Sequence, residues 1–290
     1  MRDSEEVDIS PLDSGVRGSD LVRSSRDGDH FHYTWAARQS LKLLDPAASL
    51  SRIYIEGASP EDAFRRTGEE TIDVSEYWGG DSLATAERIV YRQLKHSTRR
   101  ADRAFTASDL RGTVAGFASW YLSTISRYPD SESRISFEIV SNRRCSESFR
   151  AAIQWLSDPT GTPPNSSVGT LRDALPEGLS VSVAASFFKL LTIDDAAPNL
   201  LNQRRLLEKD LGSMMAGFVG DQPLLLREAV AFRATSLPGA DEPLTRAHVL
   251  AALRVTEQEL FPAPCRMSPP PTVVVTNQIR GICDQIAAST

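Results

Sequence analysis

Residues 89–96 read Ile-Val-Tyr-Arg-Gln-Leu-Lys-His. The β-branched and aromatic residues at the start of this stretch favour a β-strand. Because side chains alternate across a strand, Gln93 and Lys95 are expected on one face and Leu94 on the other. A strand that turns an amide and a lysine to one side is typical of one arm of a metal-dependent phosphodiesterase site. The other arms of such a site are acidic residues on neighbouring strands.

Two shorter apolar runs upstream each carry one acidic residue. They read Ile-Tyr-Ile-Glu over residues 53–56 and Thr-Ile-Asp-Val over residues 71–74. Asp73 stands between two β-branched residues that predict a buried strand, where a bare carboxylate is costly. Glu56 comes at the end of the first strand. Together with the Gln-x-Lys strand, these two acids form a candidate site carried by three strands.

The periodicity of the apolar residues predicts an α/β protein with a mixed sheet flanked by helices and followed by an α-helical region. Strands are expected at about 50–56, 70–77, up to 96, and 135–140, and helices at about 31–45, 107–127 and 146–156. A strand, a long helix and a further strand form a crossover. The third and fourth strands are therefore expected to be parallel.

Composition divides the chain into three parts. Residues 1–28 are rich in Ser, Asp, Gly and Arg without periodicity and are expected to form a disordered arm. Residues 29–157 carry the predicted sheet. After a linker rich in Pro, Gly and Ser, residues 168–290 are interpreted as a helical connector region with five short helices, and residues 273–288 as a further helix-like segment.

The overall composition is that of a globular protein, at 41% hydrophobic and 24% charged residues. It contains no run of about 18 apolar residues, so no membrane span is expected. Its start lacks the apolar core of a secretory signal, which favours a cytoplasmic location. Three scattered cysteines, Cys145, Cys265 and Cys283, are interpreted as reduced thiols rather than as a disulfide framework or a zinc site.

The charge is unevenly distributed, although the formal net charge is -6. Residues 1–29 carry eight Asp or Glu residues and four Arg residues. Between Arg88 and Arg103 the balance reverses, with six basic residues facing only Asp102. Such local basicity suits contacts with a phosphate backbone. A solvated turn after a strand is the ordinary alternative.

The chemistry of phosphodiester hydrolysis fits these residue types. The reaction needs a cation that neutralises developing charge and activates water. Mg²⁺ prefers carboxylate and carbonyl oxygens, so Asp73 is the natural ligand, and Glu56 is a second carboxylate or orients a water. The Gln93 amide or the Leu94 carbonyl oxygen completes the shell. Lys95 is expected to activate the attacking water or stabilise the transition state.

These motifs resemble the PD-(D/E)XK restriction-endonuclease-like superfamily over about residues 29–157. More narrowly, they are similar to the N-terminal double-stranded DNA nuclease domains of bacterial anti-phage effectors, which are fused to signal-sensing modules or STAND-type NTPases. The resemblance is carried by the segments His30–Ala37, Ile55–Gly57, Ile72–Val74, Gln93–Ser97 and Phe137–Arg143.

The resemblance implies a Mg²⁺- or Mn²⁺-dependent endonuclease that acts on double-stranded DNA in anti-phage defence. The implied catalytic residues are Glu56, Asp73, Gln93 and Lys95, of which the first three bind the metal. Gln93 departs from the commoner Asp or Glu. Contacts with DNA are expected from His32, Arg92, His96, Arg99 and Arg100.

Partners other than DNA are also expected. The resemblance implies self-association as a dimer or tetramer. No P-loop sequence occurs here, so an associated NTPase or sensor region is expected beyond residue 290. Two other classes remain open from the residues alone: a nuclease-like module that binds DNA or oligomerises without cleaving, and a purely structural adaptor. Each acidic residue and the lysine, taken singly, also has an ordinary structural interpretation.

Overall fold

Helices pack on both faces of a five-stranded mixed sheet. The computed structural model describes residues 18–62, 68–97, 102–215 and 217–260. The strands are β1 (Leu50–Ile55), β2 (Val74–Trp78), β3 (Arg88–Lys95), β4 (Ile135–Ser141) and β5 (Leu191–Asp194). The helices are α1 (Gly18–Ser40), α2 (Ala107–Arg127), α3 (Glu147–Ser157), α4 (Ser167–Arg172), α5 (Val181–Leu190), α6 (Leu200–Met214), α7 (Gln222–Arg233) and α8 (Arg246–Leu253).

The sheet has the strand order β1-β2-β3-β4-β5. Strands β1, β2 and β3 are antiparallel neighbours, whereas β3, β4 and β5 run parallel. The pairing of β3 with β4 runs from Ile89 opposite Ile135 to Lys95 opposite Ser141. This confirms the predicted crossover, with α2 as the connecting helix. The Gln-x-Lys segment thus lies at the carboxyl end of a central strand.

The alternation predicted for β3 is also confirmed. Tyr91 packs in the hydrophobic core that contains α2, α3 and α5, while Leu94 packs in the core that contains α1, α6, α7 and α8. Successive side chains of β3 therefore serve two separate cores, one on each face of the sheet. Because both faces of the sheet are covered, all residues of β3 between its two ends are buried.

Helix α2 begins at a capping box, as the sequence Thr-Ala-Ser-Asp predicts. The Thr106 hydroxyl accepts from the Asp109 backbone N–H, and the Asp109 carboxylate accepts from the Thr106 N–H at 2.9 Å. Near the middle of α2, Gly116 allows the 3₁₀ turn Glu69–Thr71 to pack closely. A Cβ at Gly116 would lie 1.8 Å from Thr71 Oγ1, so the approach requires glycine. This contact fixes the chain just before Asp73.

The part of the chain after residue 157 contributes to the sheet itself. Strand β5 pairs with β4, although a helix over about 181–192 was predicted there. The predicted helix is found as α5 but ends two residues earlier, and β5 was missed, because pairing with β4 holds Leu191–Asp194 extended and so short a run has no period of its own. At the other edge, Leu244 and Ile53 exchange two backbone hydrogen bonds of 2.7 and 3.0 Å.

The start of the chain also differs from the prediction. Helix α1 begins at Gly18, so residues 18–28 are helical and not part of a disordered arm. Residues 1–17 and the helix-like segment 273–288 lie outside the described residues. Among the described helices, none combines the length and the apolar character needed to cross a membrane.

Candidate functional site

Asp73 is positioned by the backbone of two neighbouring strands. Its N–H donates to the Arg92 carbonyl and its carbonyl accepts from the Glu56 N–H, both at 2.8 Å. Since Val74 pairs with Arg92, this register sets Asp73 beside Gln93. Asp73 is only 7% exposed. The predicted meeting of Glu56, Asp73 and the Gln-x-Lys strand is therefore found, at the end of β1, the start of β2 and the end of β3.

The Asp73 carboxylate is oriented by two donors from β3. Gln93 Nε2 and the Leu94 backbone N–H donate to Asp73 Oδ2 at 2.9 and 2.5 Å. The other side of the Gln93 amide, Oε1, accepts from Thr113 Oγ1 on α2 at 3.4 Å. Gln93 therefore bridges Thr113 and Asp73 and directs its oxygen away from the carboxylate. This geometry makes Gln93 an orienting residue, which differs from the predicted ligand role.

Glu56 follows β1 in an unusual backbone conformation. Its φ of 57° lies in the left-handed region, which is uncommon for a residue other than glycine. Such strain is found mainly where a side chain must be held in one place. Burial of the carboxyl, together with the nearby Asp73 and Asp29 carboxylates, raises the pKa of Glu56 to about 7. The residue as a whole is nevertheless exposed, and it lines a cleft described below.

Lys95 is the last residue of β3 and is half-buried. Burial lowers the pKa of its amino group, and the Asp73 carboxylate opposes that shift. The opposing effect of Asp73 means that the two side chains lie near enough to interact. Lys95 thus combines a partly desolvated ammonium with an acidic neighbour, which is the pairing expected of a lysine that acts on a bound phosphate.

His32 reaches the same place from α1. Its Nε2 lies 2.9 Å from the Leu94 carbonyl oxygen and 4.0 Å from Asp73 Oδ2. Single ligand atoms from His32, Glu56 and Asp73 all lie within 4.8 Å of one another. Carboxylates suit Mg²⁺ and Mn²⁺, and imidazole suits transition metals, so this set of donors fits a divalent cation. His32 was predicted to contact DNA, but its ring faces the acidic pair.

The prediction that Arg92 contacts DNA is wrong. It is 8% exposed, and its guanidinium lies 2.9 Å from Glu76 and 2.5 Å from Glu138. A buried arginine held between two carboxylates is not available to a phosphate. Arg99 and Arg100 lie outside the described residues.

His96 keeps a position consistent with a contact to a ligand. Its ring stacks on Phe31 at 4.6 Å between centroids, and the residue is half-buried. Burial lowers the pKa of His96; Asp27 opposes this shift and His32 adds to it. His96 lines a cleft of ≈ 370 Å³ beside the site, with Ser97, Asn142, Asn199, Leu200, Leu201 and Arg204.

A second cleft, of ≈ 490 Å³, is lined by Glu56 itself. Its acidic lining residues are Glu56, Glu69, Glu70 and Asp241. A concave surface with this charge attracts cations and repels phosphate. The two clefts therefore give the site one acidic approach and one approach that contains an exposed arginine.

One contributor to the site was missed from the sequence. Thr113 lies on the buried side of α2, in the row of Leu110, Val114 and Phe117. A hydroxyl on the apolar face of a helix needs a partner, and that was the available signal. The partner itself, Gln93, could not be inferred without the packing of α2 on β3.

No model of a known protein family matches this chain, and a search of curated proteins finds no match either.

Proposed function

We propose that this chain is a metal-dependent endonuclease that hydrolyses phosphodiester bonds of double-stranded DNA, in a restriction-endonuclease-like fold. One observation carries the proposal: a buried, doubly oriented Asp73 meets the strained Glu56 and the half-buried Lys95 where three adjacent strands come together. The order of three antiparallel strands, a crossover helix and a parallel strand supports the fold assignment. A role in anti-phage defence rests on the resemblance alone.

The chemistry divides among these residues. Asp73 and Glu56 would hold a divalent cation, which would supply positive charge for the phosphate and lower the pKa of a bound water. Gln93 and the Leu94 N–H hold the Asp73 carboxylate in one orientation, so that little rearrangement is needed on binding. Lys95 donates to a phosphate oxygen or to the attacking water, and its partial burial strengthens that interaction.

The DNA is proposed to approach from the cleft lined by His96, Asn142 and Arg204. Two hydrogen bonds of 3.0 Å between Asn142 and the Ser97 backbone fix one wall of this cleft. Arg204 stands exposed on the other wall, in the first turns of α6. The acidic cleft lined by Glu56 is then the route for the cation.

The test is cleavage of supercoiled plasmid by the purified 290-residue chain with Mg²⁺ or Mn²⁺. Wild type is compared with Lys95→Ala and with Lys189→Ala, an exposed lysine on α5. We expect cleavage by wild type and by Lys189→Ala and none by Lys95→Ala. Equal cleavage by all three proteins, or cleavage that persists in a chelator, would overturn the assignment.

A second function is favoured by one observation. The Gln93 amide stands where nucleases of the superfamily that the motifs resemble commonly carry an acid, and its oxygen is occupied by Thr113. A nuclease-like module that binds DNA or oligomerises without cleaving it would have this arrangement. DNA binding without cleavage in either metal would support that alternative.

A further inference from the structure

His32 lies closer to the acidic pair than a residue that only contacts DNA needs to be. Its neighbours on α1, Phe31 and Trp35, are buried in the core, so the helix presents the ring at a fixed place. The His32 side chain is 22% exposed, and its Nε2 faces the Leu94 carbonyl and Asp73. The ring therefore forms the side of the site that faces α1, while β2 and β3 form the side that carries Asp73 and Leu94.

The separations between His32 and the two strand atoms nearest to it are close to those expected around a shared cation. Two neighbouring ligands of an octahedral ion at about 2.1 Å lie about 3 Å apart, and two opposite ligands about 4 Å apart. Nε2 of His32 lies 2.9 Å from Leu94 O and 4.0 Å from Asp73 Oδ2. Glu56 supplies its carboxylate oxygen within 4.8 Å of the other two side-chain atoms.

The hydrogen bonds of Asp73 and Gln93 determine which of their oxygen atoms can bind a metal ion. Both donors to Asp73 end on Oδ2, and among the described residues no hydrogen bond ends on Oδ1 of this buried carboxylate. Gln93 Oε1 accepts from Thr113. The atom that the resemblance assigns to the metal is thus turned away from it, while an imidazole nitrogen faces the acids.

We infer that His32, in place of the Gln93 side chain, is a protein ligand of the cation held by Asp73 and Glu56, and that the site prefers Mn²⁺ or a later transition-metal ion over Mg²⁺. The inference deepens the proposed function and rests on it for the existence of the cation. In the metal-free chain Nε2–H donates to the Leu94 carbonyl; on binding, Nε2 releases that proton to solvent, Nδ1 takes one up, and the Nε2 lone pair faces the metal. Leu94 O then changes from acceptor to ligand.

The chemical reason for the preference is the nitrogen. Imidazole binds Mn²⁺ weakly and Co²⁺, Ni²⁺ or Zn²⁺ more strongly, whereas Mg²⁺ favours oxygen ligands and retains its waters. A site of two carboxylates, one carbonyl and one imidazole is therefore expected to rank Co²⁺ above Mn²⁺ and Mn²⁺ above Mg²⁺. Replacement of the imidazole by a carboxylate returns the site to the oxygen ligands that Mg²⁺ prefers.

The experiment measures metal binding without DNA. The full chain is freed of metal with a chelator, and Mn²⁺ is titrated while electron paramagnetic resonance follows the free ion. Mg²⁺ is measured by its competition with Mn²⁺, and Co²⁺ by its visible absorption. The proteins are wild type, His32→Ala, His32→Asp and the control His30→Ala, two residues earlier on α1. Circular dichroism checks that each variant is folded.

We expect His32→Ala to weaken Mn²⁺ binding on the order of 10-fold or more and to change the Co²⁺ spectrum. Mg²⁺ binding should change much less. His32→Asp should restore binding and shift the preference toward Mg²⁺, and His30→Ala should behave as wild type. Because a folded His32→Asp variant tests the same ligand position, the inference stays testable if His32→Ala fails to fold.

Two outcomes separate this inference from the proposed function. Unchanged Mn²⁺ affinity and Co²⁺ spectrum in both folded His32 variants would overturn the ligand role, even for a chain that cleaves DNA. His32-dependent Mn²⁺ binding by a chain that leaves DNA intact would support the ligand role and overturn the nuclease. A wild-type chain that binds neither Mn²⁺ nor Co²⁺ would overturn the inference.

Discussion

The Gln93 side-chain amide donates a hydrogen bond of 2.9 Å to Asp73 Oδ2. At the position where nucleases of the superfamily that the motifs resemble commonly carry an acid, this chain places a donor that stabilises the buried Asp73 carboxylate without a cation. An amide and a carboxylate at position 93 therefore have different effects on Asp73. An acid at position 93 would coexist with Asp73 only by binding a cation or by keeping a proton, whereas the amide needs neither.

Gln93→Glu should therefore lower the stability of the metal-free protein by about 1–3 kcal/mol, since it removes a donor to a buried carboxylate and adds a like charge. Saturating Mn²⁺ should recover much of that loss. Thermal unfolding with chelator and with Mn²⁺ measures both effects. Gln154→Glu, at an exposed position of α3, is the matched control. Equal melting temperatures for Gln93→Glu and wild type in chelator would contradict the orienting role of Gln93.

Lys95→Ala and Asp73→Asn should reduce cleavage about 100-fold or more, because they remove stabilisation of the transition state and a metal ligand. Binding of DNA should change little, since neither residue supplies most of the ground-state contact. Plasmid cleavage and a binding titration on the same preparations separate the two effects. A parallel loss of binding and cleavage would mean that these residues act by holding DNA.

Stability of the metal-free protein should depend on pH through Glu56. Because its pKa is raised from 4.5 to about 7, the folded chain keeps a proton that the unfolded chain has released between those values. Stability contributed by this group is therefore lost as pH rises from about 4.5 to about 7. Glu56→Gln should melt at an increasingly higher temperature than wild type across this window. A difference in melting temperature that stays constant from pH 5 to pH 8 would contradict the shift.

Gly116→Ala should destabilise the protein by about 1–3 kcal/mol, because the added Cβ collides with Thr71. Gly112→Ala, one turn earlier on α2, meets nothing within 4 Å and should stabilise the helix by up to about 1 kcal/mol. Urea unfolding of the two variants measures the contrast. Equal destabilisation would mean that backbone freedom, and not the contact with Thr71, explains both glycines.

Arg204→Ala should weaken DNA binding and lower its salt dependence by about one unit of slope, as expected for the loss of one phosphate contact. Arg205→Ala, the next residue on α6, does not line the cleft and serves as the control. Binding titrations at several salt concentrations give both slopes. Identical slopes for the two variants would place the DNA elsewhere. The pair Arg99→Ala with Arg100→Ala is still expected to lower the slope by up to about two units.

Local patterns predicted the elements near the site well. The alternation in residues 89–96 placed Tyr91 and Leu94 in different cores, and the capping box at Thr106 marked the start of α2. The parallel pairing of β3 and β4 followed from the length of the connection between them. Each of these features depends on residues near one another in sequence or on a general rule of chain handedness.

Three other features depend on which particular distant residues pack together, and these were not predictable from the sequence. Arg92 resembled a basic residue of the DNA footprint until the register placed Glu138 opposite it and Glu76 on the other side. Strand β5 exists because β4 offers a free edge, and Thr113 matters because α2 lies against Gln93. In each case the partner is more than 15 residues away, so a single sequence gives no signal of the pairing.

The backbone contacts of β5 with β4 and of Leu244 with Ile53 limit how far the chain can be shortened. A fragment that ended at residue 157 would lack both, and the outer sides of β1 and β4 would present unpaired N–H and C=O groups. Open sheet edges of this kind recruit strands from other molecules and promote aggregation. The smallest portable unit for fusion or transplantation therefore includes the helices up to about residue 260, although the residues around the Asp73 carboxylate all come from residues 32–113.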